Sequence, residues 1–485
     1  MRSYYQCEQI RAAEAPLLAS LPVGTLMRRA AYGLARIVAE ELHTRTGAVA
    51  GRTVTLLVGS GDNGGDALWA GAFLRRRGVA VTAVLLAPDR THPGGLSALQ
   101  AVGGRTASAI PEHLGDPDLV LDGIVGISGR GSLRPAAAAL VDAITAPIVA
   151  IDTPSGVDPD TGVVDGPAVT AALTVTFGAR KPVHVLAPAR CGRVELIDIG
   201  LDLPPADLVS AEPAELGAIW PVPGPDDDKY SQGVVGIVAG SAQYPGAGVL
   251  CTGAAVAATS GMVRYVGSAA AEVLARFPEV VAAPTFDAAA RAQAWVVGPG
   301  GGTDVQAEKT LRDVLATDLP VLVDADGLTI LARNPSLVRG RSAPTLLTPH
   351  AGEFARLTGS DPHPNRVVAA RRLAAQWQVH VLLKGRATLI ARPDGHTFVN
   401  DAGGSWASTA GAGDLLAGIV GALMSSGMPI DLAAAAGARA HALAANLAAR
   451  GEGGESSGTA PVSASSIADY LRAAVRILRT HASES

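Results

Sequence analysis

Cysteine is nearly absent from this chain. Cys7, Cys191 and Cys251 are the only three in 485 residues, too few and too scattered for a disulfide framework or a zinc cluster. That count fits a reducing compartment. Lysine is scarce as well: only Lys181, Lys229, Lys309 and Lys384 occur beside abundant arginine. In so arginine-biased a chain, a retained lysine marks a place that needs a compact point charge, although chance is the simpler explanation for any one of them. No basic excess is present, with a formal net charge of -5 and a pI of about 6.1, so the electrostatic footprint of nucleic-acid binding is missing. The opening Met1-Arg2-Ser3-Tyr4-Tyr5-Gln6-Cys7-Glu8 carries no apolar signal core. The longest uncharged run, Gly246 to Val263, is mostly Gly, Ala, Thr and Ser. It reads as one buried helix, because a membrane span needs a more strongly apolar run. Asn334-Pro335-Ser336 has proline in the middle and is no glycosylation acceptor. These absences lead us to expect a cytoplasmic protein with neither membrane nor nucleic acid as partner.

What is present is a globular composition, 48% hydrophobic and 17% charged, at a length that calls for two or three domains. Gly24 to Thr44 sets Met27, Ala30, Leu34, Ile37, Val38 and Leu42 at helical spacing. Strands and helices then alternate: strand Thr53–Val58, helix Asp66–Arg77, strand Val79–Leu86, and short apolar runs at Leu119–Asp122, Ile148–Asp152 and Leu173–Phe177. That alternation predicts an α/β fold with a parallel sheet and helices on both faces. The segment 203–228 carries six prolines and ends in Asp226-Asp227-Asp228, the composition of a linker or interdomain wrap. Alternation restarts beyond it, with strands at Val234–Ala239, Trp295–Val297, Val321–Asp324, Thr345–Thr348 and Val379–Lys384. Helices are expected at Asp304–Ala316, Gly411–Ser425, Ile430–Arg450 and Ser463–Thr480, a mobile loop at Gly451–Pro461, and a hairpin around Pro393-Asp394-Gly395-His396. The expected domains are 1–202, a proline-rich linker 203–228, and 229–485.

Chemistry gathers at strand ends. Gly59-Ser60-Gly61-Asp62-Asn63-Gly64-Gly65-Asp66 follows a strand and opens a helix, where backbone N–H groups suit a phosphate. A plain tight turn explains the glycines equally well, but it needs no such set of polar groups as Asp62, Asn63 and Asp66. Asp122 precedes the glycine-rich Gly126-Ile127-Ser128-Gly129-Arg130-Gly131-Ser132, and Asp152 precedes Thr153-Pro154-Ser155. In open α/β sheets, ligands bind outside the carboxyl ends of the strands, so Asn63, Asp122 and Asp152–Ser155 are expected to meet in one crevice. Their oxygens are hard ligands for an alkali or alkaline-earth cation. Asp158 and Asp160 read as turn residues.

In the second half, Ser408-Thr409-Ala410-Gly411-Ala412-Gly413-Asp414 opens a helix. Its N–H groups at 411–413 are expected to form an anion hole beside Asp414, a carboxylate able to take a proton from a hydroxyl engaged in phosphoryl transfer. Lys384-Gly385-Arg386-Ala387-Thr388 suits a nucleotide phosphate or ribose. Gly298-Pro299-Gly300-Gly301-Gly302 and Thr348-Pro349-His350-Ala351-Gly352-Glu353 are further glycine-rich or polar strand ends. Asp324-Ala325-Asp326-Gly327 hints at a calcium loop, but Pro335 stands where the bidentate glutamate belongs.

The motifs GDNGGDA, DGIVGISGRG, AIDTPSGVDPDTG and TFGARKP, in that order over residues 8–201, resemble the YjeF N-terminal family of NAD(P)H-hydrate epimerases. GIVAGSAQYPGAG, VDADGL, LTPHAGEF, LLKGRAT and STAGAGD, over 229–480, resemble the NAD(P)H-hydrate dehydratase branch of the ribokinase-like superfamily. The resemblance implies a Rossmann-like three-layer α/β/α domain followed by a ribokinase-like α/β domain. It also implies a bifunctional repair of hydrated NADH and NADPH with ADP as co-substrate. Asp62, Asn63, Gly64, Gly65, Asp66 and the run Gly126 to Ser132 would contact the hydrate, with Asp152 as acid/base. Asn63, Asp122 and Ser155 would hold potassium. Lys384 to Thr388 and Gly413 would bind ADP, while Ala247, Gly302, His350 and Asp414 would line the hydrate pocket and Glu353 would reach magnesium through water. The chain departs from the first family's usual Asn-Asn-Gly-Gly-Asp-Gly at Asp62 and Ala67, which sets an anion where that family has a neutral donor. Its Ala410-Gly411-Ala412-Gly413 stands closer to sugar kinases, which leaves a small-molecule kinase with an N-terminal nucleotide-binding scaffold as the alternative. The alanine-rich final helices suggest a homo-oligomer.

Overall fold

The computed structural model describes residues 1–107, 114–289, 291–451 and 458–483. It divides into two compact units, Ser3–Asp207 and Leu208–Ser485, the second also taking in Met1 and Arg2.

The first unit is built on a wholly parallel sheet. Its strands lie in the order Arg105–Ala107, Ala80–Leu85, Thr53–Val58, Leu119–Gly123, Ile148–Ile151, Leu173–Phe177 and Arg193–Ile197. Successive side chains point to opposite faces, so Leu56 and Val58 join Leu34, Val38 and Leu68 of the helices Thr25–Thr46 and Asp62–Arg75. Leu57 instead joins Leu140 of the helix Pro135–Asp142 on the other face. Both faces are thus covered, as parallel sheets require. The chain starts in the middle of the sheet, builds outward to one edge, then returns to build the other. Thr53–Val58 and Leu119–Gly123 are therefore neighbours whose following loops diverge, and this is the position where such sheets bind ligands.

In the second unit the sheet runs in the order Leu208–Ser210, Thr397–Asp401, Ala387–Ala391, His380–Leu383, Thr345–Leu347, Val321–Val323, Ala294–Val297, Val234–Val238, Met262–Val266 and Val281–Ala283. All pairs are parallel except the two formed by His380–Leu383, Ala387–Ala391 and Thr397–Asp401, which alternate in direction. The expected hairpin is the second of these. The run read as one helix from Gly246 to Val263 is a helix, Pro245–Ala258, followed by the strand Met262–Val266. Gly261 marks the break: a Cβ there would fall 2.1 Å from Gly233 O, so only glycine lets the chain pass. The proline-rich segment carries the strand Leu208–Ser210, parallel to Thr397–Asp401, and the helix Pro213–Ala218, where Gly217 lies against the Leu478 carbonyl of the helix Ala464–Ser483. The alanines of the helix Ile430–Arg450 are buried inside the unit, so their abundance is accounted for by internal packing. The expected loop at Gly451–Pro461 lies mostly outside the described residues. Among the described residues no helix is long and apolar enough to cross a membrane.

Candidate active sites

In the first unit, a cleft of about 760 Å³ opens at the carboxyl ends of Thr53–Val58 and Leu119–Gly123. Asp62, Asn63, Gly126 to Ser132 and Thr153 to Ser155 all line it. Two backbones press together at its floor. A Cβ at Gly59 would lie 1.9 Å from Ile124 O, one at Gly64 2.2 Å from Gly59 O, and one at Gly126 2.2 Å from Asn63 Oδ1. These glycines are required by close approach.

The helix begins at Asp62, four residues before the expected start, so Asn63, Gly64, Gly65 and Asp66 are buried in its first turns while Asp62 stays exposed. Asp66 Oδ1 is buried without a hydrogen-bond partner among the described residues. Burial, then the nearby carboxylates of Asp152, Asp62 and Glu14, hold its carboxyl well above the usual carboxylate range.

Asn63, Asp122 and Ser155 come together. Asp122, fully buried, accepts from Ser155 N at 2.8 Å, from Ser155 Oγ at 2.6 Å and from Ile124 N at 3.2 Å. Ser155 Oγ also lies 3.3 Å from Val125 O, and Asn63 Nδ2 donates to Val125 O at 3.3 Å and Ile151 O at 2.6 Å. Burial raises Asp122 to about 6 against the lowering effect of its Ser155 and Ile124 donors. Hydroxyl, carboxylate and carbonyl oxygens gathered around one buried acid are hard donors of the kind that could hold an alkali or alkaline-earth cation, while Asn63 turns its Nδ2 toward the carbonyls.

Asp152, expected to contact the hydrate, is buried and does not itself line the cleft, although the three residues after it do. Its backbone is left-handed, with φ +69°. The buried Lys181 ammonium is ion-paired with Asp152 Oδ1, which also accepts from Thr176 Oγ1 at 3.0 Å. Lys181 Nζ donates further to Thr176 Oγ1 at 2.9 Å and Phe177 O at 3.2 Å.

In the second unit the residues converge around Lys384, whose Nζ lies 2.5 Å from Oδ1 of the buried Asp324. Burial pulls the Lys384 ammonium down, but Asp324, Glu353 and Asp414 more than compensate and its pKa is raised. Asp414, in the first turn of the helix Ala412–Ser425, is raised to about 7 by burial first and then by Asp324, with Lys384 opposing. A Cβ at Gly413 would fall 3.3 Å from Lys384 Nζ. Of the expected anion-hole donors, Ala412 N–H is directed to Thr409 O at 3.2 Å, and Gly411 takes a left-handed φ of +84°. Arg366 pins the loop after Lys384 through Lys384 O at 3.0 Å and Ala387 O at 2.9 Å. Within that loop Gly385 is exposed and Arg386 partly so, while Ala387 is buried and Thr388 turns its hydroxyl inward to Gly385 O at 2.9 Å.

Gly302 lines a separate cavity of about 460 Å³ at the ends of Val234–Val238, Met262–Val266 and Ala294–Val297. Its N–H donates to Asp326 Oδ2 at 2.9 Å, and Asp326 is close enough to Asp414 to raise it. Ala247 packs on Gly300. His350 caps the helix Ala351–Thr358: its Nδ1 accepts from Gly352 N at 3.0 Å, its ring is exposed, and Glu353 returns the bond to His350 N at 2.9 Å. Neither Ala247 nor His350 lines that cavity. Among the described residues, no group of three or more His, Cys, Asp or Glu side chains is arranged to hold a metal ion.

Sequence reasoning missed Asp324 and Asp326, dismissed with the calcium loop, and the partnership of Lys181 and His184 with Asp152. Lysine scarcity was the available signal. Lys181 and Lys384 are the two lysines ion-paired to buried aspartates, whereas Lys309 pairs with Asp313 at the surface.

Two family models divide the chain as the two sites do. Residues 23–183 match the YjeF-related protein N-terminus and 235–468 match NAD(P)H-hydrate dehydratase. The chain is 62% identical over 438 residues to the bifunctional NAD(P)H-hydrate repair enzyme Nnr of Mycobacterium tuberculosis, covering 90% of this chain and 92% of that one. It is 58% identical to the same-named enzyme of Mycobacterium leprae, covering 99% and 100%. A ribokinase-like superfamily protein from Enterococcus faecalis V583 shares the fold of the second unit, with a TM-score of 0.50 and 22% identity over 57% of this chain and 98% of that one. The chain belongs to the family of bifunctional NAD(P)H-hydrate repair enzymes.

Proposed function

We propose that the chain restores NADH and NADPH hydrated on the nicotinamide ring. The first unit interconverts the R and S hydrates, and the second dehydrates the S hydrate at the expense of ADP. The observation that carries this reading is Asp414, a carboxyl near 7 at a helix N-terminus beside the Lys384–Asp324 pair. A base poised near neutrality can take the proton of the ring hydroxyl. The hydroxyl oxygen then bonds to the terminal phosphorus of ADP and AMP leaves. Phosphate departs from the ring carbon, the neighbouring carbon loses a proton, and the double bond of NAD(P)H returns. Lys384 would neutralise the transferring group, and positioning supplies most of the acceleration. Magnesium would enter with the nucleotide, with Glu353 as a water-bridged contact.

In the first unit, inversion at the hydroxylated carbon requires its C–O bond to break and re-form on the other face: the oxygen takes a proton to leave as water, and the returning water gives that proton up. Asp152, which is ion-paired with Lys181, is our candidate to carry that proton. Asn63, Asp122 and Ser155 would hold potassium, which fixes the cleft floor by charge.

The test is recovery of NADH absorbance from racemic NADH hydrate, with and without ADP, for the wild type and Asp414→Ala. Full ADP-dependent recovery, lost in the variant, supports both steps. Recovery that stops near half leaves the epimerase inactive. A stable phosphorylated product would favour the kinase alternative.

A further inference from the structure

We propose that His184 is a positioning residue for epimerisation: it fixes the backbone of Asp152 so that one carboxylate oxygen is left free to work. The proposal rests on the assignment of Asp152 as the acid/base group. His184 is buried in the short helix Val183–Leu186, which follows directly on Lys181. Both its ring nitrogens are engaged. Nδ1 accepts from Lys181 N–H at 3.0 Å, so the proton belongs on Nε2, which lies 2.9 Å from the Asp152 carbonyl oxygen and donates to it. Full burial keeps the ring neutral, as that tautomer requires.

The bond falls at an unusual place. Asp152 holds φ +69° at the end of its strand, a conformation a non-glycine residue keeps only when its surroundings enforce it. The peptide is held from both sides: its N–H donates to Val175 O at 2.7 Å, and its carbonyl receives His184. The side chain is held by Lys181 and Thr176, both on Oδ1. Oδ2 carries no hydrogen bond among the described residues. Lys181 appears twice, through its ammonium on the carboxylate and its N–H on His184, so backbone and side chain of Asp152 are locked by one interdependent set. A buried histidine that served packing alone would satisfy its nitrogens anywhere; this one spends both on the acid/base residue and that residue's counter-ion.

The experiment compares His184→Ala, His184→Asn and His184→Gln in the full chain. Glutamine keeps a donor near Nε2, whereas asparagine keeps only the acceptor facing Lys181 N–H. R-to-S conversion is followed chromatographically without ADP, and ADP-dependent dehydration of pure S hydrate serves as an internal control on the second unit. In His184→Ala and His184→Asn, kcat for epimerisation should fall about tenfold or more with KM within about twofold, as misplacement of a catalytic group predicts. His184→Gln should recover most of the loss, and dehydration should stay at the wild-type rate in all three. If His184→Ala unfolds the first unit, the Gln-against-Asn comparison carries the test alone. Wild-type kcat in the Ala and Asn variants, or equal loss in Gln and Asn, would overturn the role of His184. Asp152→Asn separates the two assignments: retained epimerisation in that variant overturns Asp152 itself, while its loss beside a normal His184→Ala overturns only the positioning.

Discussion

Lys384 Nζ and Asp324 Oδ1 meet at 2.5 Å across 60 residues of sequence, with Asp324 all but sealed from solvent. Breaking a buried pair from one side strands the other charge, at a cost of about 3–5 kcal/mol. Lys384→Met should destabilise the second unit by roughly that amount in urea titrations, and Lys384→Met with Asp324→Asn should regain most of it. Equal stability of the single and double variants would mean the two groups are not coupled.

Asp414 gives a pH signature. Its folded carboxyl, at about 7, binds a proton more tightly than the unfolded chain does near 3.8. The stability this contributes is complete below about pH 4 and is lost as pH rises through 7. Asp414→Asn, always neutral, should match the wild type at acid pH and exceed it above pH 7, by at most about 4 kcal/mol at about 1.4 kcal/mol per unit. Melting curves of both proteins at pH 5 and pH 8 decide this.

The same group should shape catalysis. If Asp414 acts as the base, kcat/KM for dehydration rises about tenfold per pH unit below 7 and levels off above it. A profile flat from pH 5 to 8 would remove Asp414 from that role.

Potassium should stabilise the first unit. The oxygens of Asp122, Val125 and Ser155 are already gathered, so binding there would shift the folding equilibrium by up to about 2.7 kcal/mol at a hundredfold excess over Kd. The melting temperature should rise in potassium chloride relative to choline chloride at equal ionic strength. Asp122→Asn should abolish the difference.

Two glycines of one turn should behave differently. A Cβ at Gly59 meets Ile124 O at 1.9 Å, whereas one at Gly61 meets nothing within 4 Å. Gly59→Ala should lower the melting temperature of the first unit markedly, and Gly61→Ala should change its stability by no more than about 0.5 kcal/mol.

These contrasts mark how far the sequence could be read. Interior strands such as Thr53–Val58 and Leu173–Phe177 are uncharged runs of apolar residues and threonine because both faces are covered, and their boundaries are legible to the residue. Arg193–Ile197 and Arg105–Ala107 are edge strands, half-exposed and charged, and give no such run. Leu208–Ser210 is three residues among prolines and is visible only through its neighbour Thr397–Asp401. The helix at Asp62 starts inside its own glycine motif, and the close approach of its first turn to Gly59 O demands glycine at 64. The motif residues are local and readable. Their partners are not: Lys181 follows Asp152 by 29 residues and Lys384 follows Asp324 by 60, and no local spacing encodes either meeting.

The glycines at the head of the first cleft are demanded by neighbouring backbone, and that demand persists whether or not the cleft turns anything over. A glycine signature therefore diagnoses a scaffold. Descendants kept only for their shape would retain Gly59 and Gly64 while drifting at Asp152 and Lys181, whose buried ion pair offers a silent fold little reason to keep it. If Asp152 carries the epimerisation as proposed, the aspartate and its lysine are the sounder guide to which copies still work.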